Sequence, residues 1–487
     1  MELLNNMNLQ SQTISNEPKI LESSFDKKKL QAGILHVGVG NFHKSHQAYL
    51  IDQLIEKKSE YKWGIIGLNL IKSGEKHLKS LQHQEGNYVL KTISSKGNTE
   101  YRNIKSIIGL LDWYLEKEKS EQILTNKNIH LITITVTETG YFLNEDAKLD
   151  QNHVVIKNEV DNLETTSIYS YLRTALNQRM QKINQPITIL CCDNLRENGK
   201  ILENAFVKYL ELINDTTLLK WIQKNVSFPS CVVDRITPRV PSTLSREIEN
   251  NFKIKENCSV LSEDFIQWVI EKKFSALFPD ISELESVDIT SNVIPYEEAK
   301  IRVLNGGHSC LTYFGALMNL KTFDKCFEKE NLVSFFNDLE TKEIIPSLGN
   351  NIPFNLTKYL NTICERFQNS NISDALERIC MDGSSKFPIF VLPTIKKCFE
   401  MNIEPINGIT AIASWYVFMR KINNNELNFN YVDPKWEWLK NFLKDDKIDD
   451  FCANRDLWGT LPETFPRFKE ILRIKINDKK LWGSLNG

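Results

Sequence analysis

An α/β N-terminal domain with a parallel-sheet core, then a mostly α-helical C-terminal domain, is the fold class this 487-residue chain predicts. Three observations carry that expectation. Strand-like and helix-like patterns alternate from about residue 30 to 285. The strand-like runs are continuously apolar, as in a parallel sheet covered on both faces. Beyond about residue 285, long helical patterns take over and strand-like runs become rare.

Residues 1–28 are polar, rich in Asn, Ser and Lys, and read as a loosely docked N-terminal arm. Gly33 to Gly40 reads as a short apolar strand ending in a glycine turn, followed by a helical pattern from about Ser45 to Glu56. Trp63–Leu70, Tyr88–Ile93 and Ile129–Val136 are β-rich runs of strand length. The amphipathic stretch Thr166–Ile183 precedes a buried strand at Ile187–Cys192, and Cys231–Asp234 is a further strand. The change of texture places a boundary near 285–295, dividing the chain into 29–290 and 291–487. Helical patterns then cover Lys300–Asn319, Leu332–Leu339, Leu356–Phe367, Ile372–Met381, Ile409–Ile422 and Lys435–Leu443.

Composition bounds the function classes. A net charge of −2 without a long basic run argues against nucleic acid or an anionic membrane as the main partner. No apolar stretch reaches membrane-spanning length, and Met1–Asp26 has no hydrophobic signal core. The ten cysteines lack CxxC pairs or ligand-like spacing, so they read as reduced thiols packed as small apolar residues. A cytoplasmic protein, monomeric or weakly homo-oligomeric, is expected.

Four stretches carry chemistry. Gly38-Val39-Gly40-Asn41-Phe42-His43 falls between a strand and a helix, where a dinucleotide pyrophosphate meets backbone N–H groups. The third glycine of the usual fingerprint is replaced by His43, and a plain strand–helix turn has the same appearance. His43 and Lys44 add positive charge for a phosphate. Glu75 is the nearest acid to the end of the next strand, where a ribose 2′-OH is held in such folds. It equally reads as a surface charge, and Lys72 or Lys76 beside it could accept a 2′-phosphate. The polar runs Thr135–Tyr141 and Cys192–Gly199 close two further strands at the end where ligands bind; Asn194 there can cap a helix or offer an amide donor.

The most informative stretch runs from Pro295 to about Asn319, a buried helix entered through a proline. Glu297, Lys300 and His308 fall in a narrow arc of an α-helical wheel, with Asn305 next to it. Gly306 and Gly307 each cost a helix interior about 1 kcal/mol, which suggests that something approaches the backbone closely. A core helix with a satisfied histidine explains any one of these residues; the set points to a reaction centre.

Taken together, LHVGVGNFHKSHQAYL (Leu35–Leu50), TVTETGY, CDNLRENG, VDRITP, PYEEAKIRVLNGGHS and the 365–393 stretch resemble the polyol-specific long-chain dehydrogenases of the mannitol 2-dehydrogenase family. The resemblance runs from about 30 to 420 in the family's order, and the spacing of Lys300, Asn305 and His308 is its most specific element. It implies a Rossmann-type N-terminal domain, a helical C-terminal domain and a cleft between them. It also implies metal-independent interconversion of a polyol and a ketose with NAD, NADP remaining possible. Lys300 would be the general base, Asn194 and Asn305 the pair flanking the reacting oxygen, and Glu297 a proton relay. Asp234, His308, Arg378 and Lys386 would contact substrate hydroxyls, Arg378 being preferred to Arg366 on its spacing. The cofactor segment would be Leu35, His36, Val37, Gly38, Val39, Gly40, Asn41, Phe42, His43, Lys44, Ser45 and His46, with Glu75 at the ribose. The chain departs from the family at Lys44, where arginine is usual, and at 71–76, where an aspartate is common. Mannitol and fructose are the expected pair; a fructuronate (hexuronate) reductase of the same superfamily and a dinucleotide-binding protein without catalysis are the alternatives.

Overall fold

The computed structural model describes residues 18–144, 146–161 and 166–486. Six strands form its central parallel sheet: β1 (Ala32–Val37), β2 (Gly64–Asn69), β3 (Ile107–Asp112), β4 (Leu131–Ile134), β5 (Ile187–Cys191) and β6 (Val226–Ser227). They lie in the order β3-β2-β1-β4-β5-β6, with every neighbouring pair parallel. This is the doubly wound order of dinucleotide-binding domains, in which a crevice opens where the order reverses, between β1 and β4. The strands are apolar throughout because helices cover both faces: Leu35, Val37, Ile132, Ile134 and Ile189 are fully buried.

Two expectations about strands need correction. Tyr88–Ile93 is not in this sheet; it pairs antiparallel with Thr99–Ile104 and parallel with Val260–Glu263 in a separate four-stranded sheet. The edge of the parallel sheet beside β2 belongs to β3, whose sequence IIGLLD carries a glycine and no clear turn signal before it. Cys231–Asp234 likewise joins a small second sheet, antiparallel to Gln267–Glu271, which in turn pairs with Val287–Thr290. The described part of the N-terminal arm is firmly docked. Ile20–Glu22 adds a parallel edge strand to Thr99–Ile104, and the Ser23 hydroxyl donates to buried Asp52. Residues 1–17 of that arm lie outside the described residues.

After Val287–Thr290 the described chain is helical, around a core that includes Leu311, Phe336, Ile363, Trp415, Phe451 and Leu472. Of the expected helix 372–381, only Leu376–Ile379 forms a short α-helix. The stretch from Ile294 to Leu317 is one continuous helix of mixed character: α over Ile294–Ala299, π over Lys300–Gly306, and α again over Gly307–Leu317. The two glycines have the close neighbours that the sequence anticipates. A methyl group on Gly306 would lie 3.0 Å from the Phe390 carbonyl oxygen, and one on Gly307 only 2.3 Å from Glu340 Oε1.

Gly38, just past β1, has φ +93°, and a Cβ there would sit 2.1 Å from the Thr135 carbonyl oxygen. Both the dihedral and the contact exclude a side chain, and the obstacle is backbone that cannot swing away. Gly38→Ala is expected to destabilise the protein by on the order of 3 kcal/mol. A thermal melt should show Tm lower by about 6–12 °C. An unchanged Tm would mean that the turn between β1 and the next helix is free to rearrange.

Candidate active site

The turn after β1 and the ends of β4 and β5 meet the π-turn of the long helix at a cavity of about 450 Å³. Its wall includes Gly40, Asn41, Phe42, Thr135, Asn194, Asp234, Lys300 and Asn305. A neighbouring cavity of about 850 Å³ shares Asn194 and Lys300 and adds Glu297 and Lys386. Residues from six separate stretches are thus assembled at the reversal point of the sheet.

Lys300 is the centre of the arrangement. Its Nζ donates to Asn194 Oδ1 at 2.7 Å and to the Val233 carbonyl at 2.9 Å. Burial lowers its pKa below the ordinary lysine value; Asp234 opposes that shift and Arg366 reinforces it. Asn194 caps no helix: the next one begins at Asn198, and the Asn194 oxygen is taken by Lys300, leaving its N–H₂ end to donate. The π-turn explains the place of Asn305. Five residues span 140° beyond a full turn of an α-helix, whereas π geometry stacks i over i+5. Lys300 and Asn305 therefore both reach the cavity. Asn305 Oδ1 is buried with no hydrogen-bond partner among the described residues.

Glu297 stands one turn before Lys300, and its Oε1 accepts from the backbone N–H of Glu197 at 2.8 Å. Burial raises its carboxyl to about 7, so it exchanges a proton near neutrality. Lys386 lines the larger cavity, donates to the Ile379 carbonyl at 2.9 Å, and has its pKa lowered by burial. Asp234 lies in the cavity wall with both oxygens bound to Arg366. Burial alone would raise its carboxyl, but the guanidinium holds it below the usual range.

Other sequence candidates sit elsewhere. His308 packs between the rings of Phe323 and Phe367, with centroids at 4.1 and 5.0 Å, outside the lining of either cavity. Arg378 is 63% exposed, pairs with Asp374, and lines neither cavity. Arg366, which sequence spacing set aside, is the arginine at Asp234. Glu75 begins a helix and pairs with Lys79 beside a separate hollow lined by Lys72, Lys76 and His83.

Within Leu35–His46, only Gly40, Asn41 and Phe42 line the cavity. Leu35 and Val37 face the core, and Val39 packs partly buried against it. His36 bonds Thr133, Thr135 and the Gly38 carbonyl, bracing the glycine turn, and burial lowers it to about 3. His43 and Lys44, expected to place positive charge by a phosphate, do not line the cavity. His43 is buried and stacked on His36, while Lys44 Nζ is committed to the Cys258 carbonyl, burial lowering its pKa to about 8. Ser45 bonds Thr237 and His46 bonds the Gln267 carbonyl. These side chains hold the turn in shape from behind.

Sequence reasoning also missed Asp193 and Asn198. Asp193 accepts from the N–H groups of Val136 and Thr137 and from the Tyr141 hydroxyl, pinning the β4 turn to the β5 turn. Asn198 bridges Asp193 to Cys231. The available signal was an Asx residue placed just past the end of a parallel strand, as Asp193 is.

Comparison with known proteins agrees with this layout. Residues 32–283 match the model of the mannitol dehydrogenase Rossmann domain, and residues 292–473 match that of the mannitol dehydrogenase C-terminal domain. The chain belongs to the mannitol dehydrogenase family. It is 32% identical to a D-arabinitol 4-dehydrogenase of Klebsiella pneumoniae, over 91% of this chain and 97% of that one. A mannitol 2-dehydrogenase of Cereibacter sphaeroides is 29% identical over 91% and 93%. The structure of Pseudomonas fluorescens mannitol 2-dehydrogenase in ternary complex with NAD and D-mannitol superposes with a TM-score of 0.85, at 29% identity and 96% coverage of both chains. A D-sorbitol dehydrogenase in substrate-free form gives 0.84 at 26% identity, covering 96% of this chain and 97% of that one. The chain is an oxidoreductase of this family, and among the described residues no helix is long and apolar enough to cross a membrane.

Proposed function

We propose that this protein oxidises a secondary alcohol of a polyol to a ketone with NAD, D-mannitol to D-fructose being the first reading. The observation that carries it is the Lys300 ammonium, bonded to Asn194 at the wall of a cavity that also holds the glycine turn. Gly38 with positive φ shapes the turn, and Gly40, whose Cα side is open, lets a dinucleotide approach the backbone there, so the residues present fit NAD. Bound in that turn, the nicotinamide supplies the hydride acceptor.

The chain's own groups would act as follows. Lys300, its charged form disfavoured by burial, takes the alcohol proton. Asn194 and Asn305 donate to the oxygen as negative charge develops on it, without adding a titrating group. Glu297, which lines the larger cavity together with Lys300, receives the proton next. Asp234 in the smaller cavity and Lys386 in the larger one bind substrate hydroxyls. His308, Arg378 and Glu75 contribute only if binding draws them inward, since none lines either cavity.

A second reading is oxidation of D-arabinitol at C4, which yields D-xylulose. It is favoured by the D-arabinitol 4-dehydrogenase relative at 32% identity. A hexuronate reductase is disfavoured by Asp234, a carboxylate in the cavity wall. The test is a panel of fructose, xylulose, tagatose and fructuronate with NADH and NADPH. Fructose or xylulose should lead with NADH. Fructuronate ahead by orders of magnitude would overturn the polyol assignment, and no turnover of any ketose would overturn catalysis itself.

A further inference from the structure

Arg366 comes from the helix Leu356–Phe367, whereas Asp234 and Glu263 end two strands of the N-terminal half. Its guanidinium donates to both Asp234 oxygens at 2.8 Å, and to Glu263 Oε1 and Oε2 at 2.8 and 3.0 Å. All three side chains are at most 6% exposed, and the guanidinium also lies 4.1 Å over the Phe265 ring. This double fork is the geometry in which arginine fixes planar carboxylates most firmly.

We propose that Arg366 is a positioning residue that fixes Asp234 in the cavity wall as an acceptor for polyol hydroxyls, tying the substrate site to the contact between the two halves of the chain. The inference rests on the polyol reading above. Each Asp234 oxygen keeps a second lone pair beyond the one Arg366 occupies, so the bridge orients the carboxylate without exhausting it. A carboxylate this deeply buried takes up a proton when its cation is removed. The other titratable groups facing Asp234 do not replace Arg366. His46 has its charged form disfavoured by burial, and the Lys300 ammonium is committed to Asn194 and the Val233 carbonyl. Tyr359 is held neutral by burial, Glu263 is a second acid, and Arg235 is committed to the Ser45 and Glu263 carbonyls.

Ketose reduction is the informative direction, because there Lys300 must carry its proton and acid pH does not disarm it. Arg366→Lys keeps the charge but cannot span both carboxylates. It should raise KM for the ketose by about 10- to 100-fold, with kcat and NADH Kd within about threefold of wild type. Arg366→Met leaves two buried acids unpaired and can fail to fold, so the second variant is E263Q/R366M, which leaves Asp234 as a single acid. Its kcat/KM for ketose reduction should fall on the acid side through an ionisation absent from wild type. Unchanged ketose KM in Arg366→Lys, or the wild-type acid profile in E263Q/R366M, would overturn the proposal. So would a parallel loss of Tm, kcat, KM and NADH binding in both variants, which marks a purely structural bridge. Wild-type enzyme that turns over no ketose would instead sink the polyol reading on which it rests.

Discussion

Lys300→Ala should lower kcat for polyol oxidation by about 10²–10⁴-fold, the usual contribution of a positioned acid–base group. NADH affinity should stay nearly intact, because the role proposed for Lys300 is at the alcohol proton and the glycine turn stands on a different element. The pH profile gives a second readout. With the lysine pKa lowered by burial, polyol oxidation should rise with pH as Lys300 loses its proton, on a limb below the ordinary lysine value of 10.5. Ketose reduction should run the other way and fall as pH rises through the same ionisation. Both limbs should vanish in Lys300→Ala. Near-normal kcat in that variant would remove Lys300 from the base role. His308 would be a poor successor, since burial between two phenylalanines holds its pKa well below the usual histidine value.

Asn305→Ala is expected to cost about 10²–10³-fold in kcat, or about 3–4 kcal/mol of transition-state stabilisation. Its ketose KM should change much less, since the donor matters most when charge is on the oxygen. Asn194→Ala should lose a similar factor and also move the pH limb, because Asn194 is the hydrogen-bond partner of Lys300. Asn305 has no such contact with Lys300, so its variant should leave the limb in place. Single-turnover hydride transfer measures both. A kcat within about threefold of wild type for Asn305→Ala would show that the reacting oxygen is stabilised by other donors.

Much of the site was legible because it is local in sequence. Glu297, Lys300, Asn305 and the two glycines lie within eleven residues of one helix, and Gly38 and Gly40 mark one turn. What the helical wheel could not show was the π geometry, which turns Asn305 towards Lys300 by widening the helix at Lys300–Gly306. The wheel likewise put His308 on the reacting face, whereas it packs between phenylalanines. His43 and Lys44 looked like phosphate ligands from their place beside the glycine turn, yet His43 stacks on His36 of β1 and Lys44 is held by the Cys258 carbonyl and the Tyr88 hydroxyl.

Sequence by itself determined several local choices: the strands Ala32–Val37, Gly64–Asn69, Leu131–Ile134 and Ile187–Cys191, where the glycine turn falls, and which helix carries the lysine. These follow from apolar periodicity, turn chemistry and motif spacing, each of which acts within about ten residues. Tertiary structure alone decided which strand takes the edge place beside β2 in the parallel sheet, since both Tyr88–Ile93 and Ile107–Asp112 have the pattern of a strand. It alone decided which arginine meets Asp234, a choice made across 132 residues of chain. A buried ion pair is selected by where helix Leu356–Phe367 docks, and spacing along the chain carries no information about docking. Arg378 and Arg366 are equally cationic in sequence; burial and two facing carboxylates separate them.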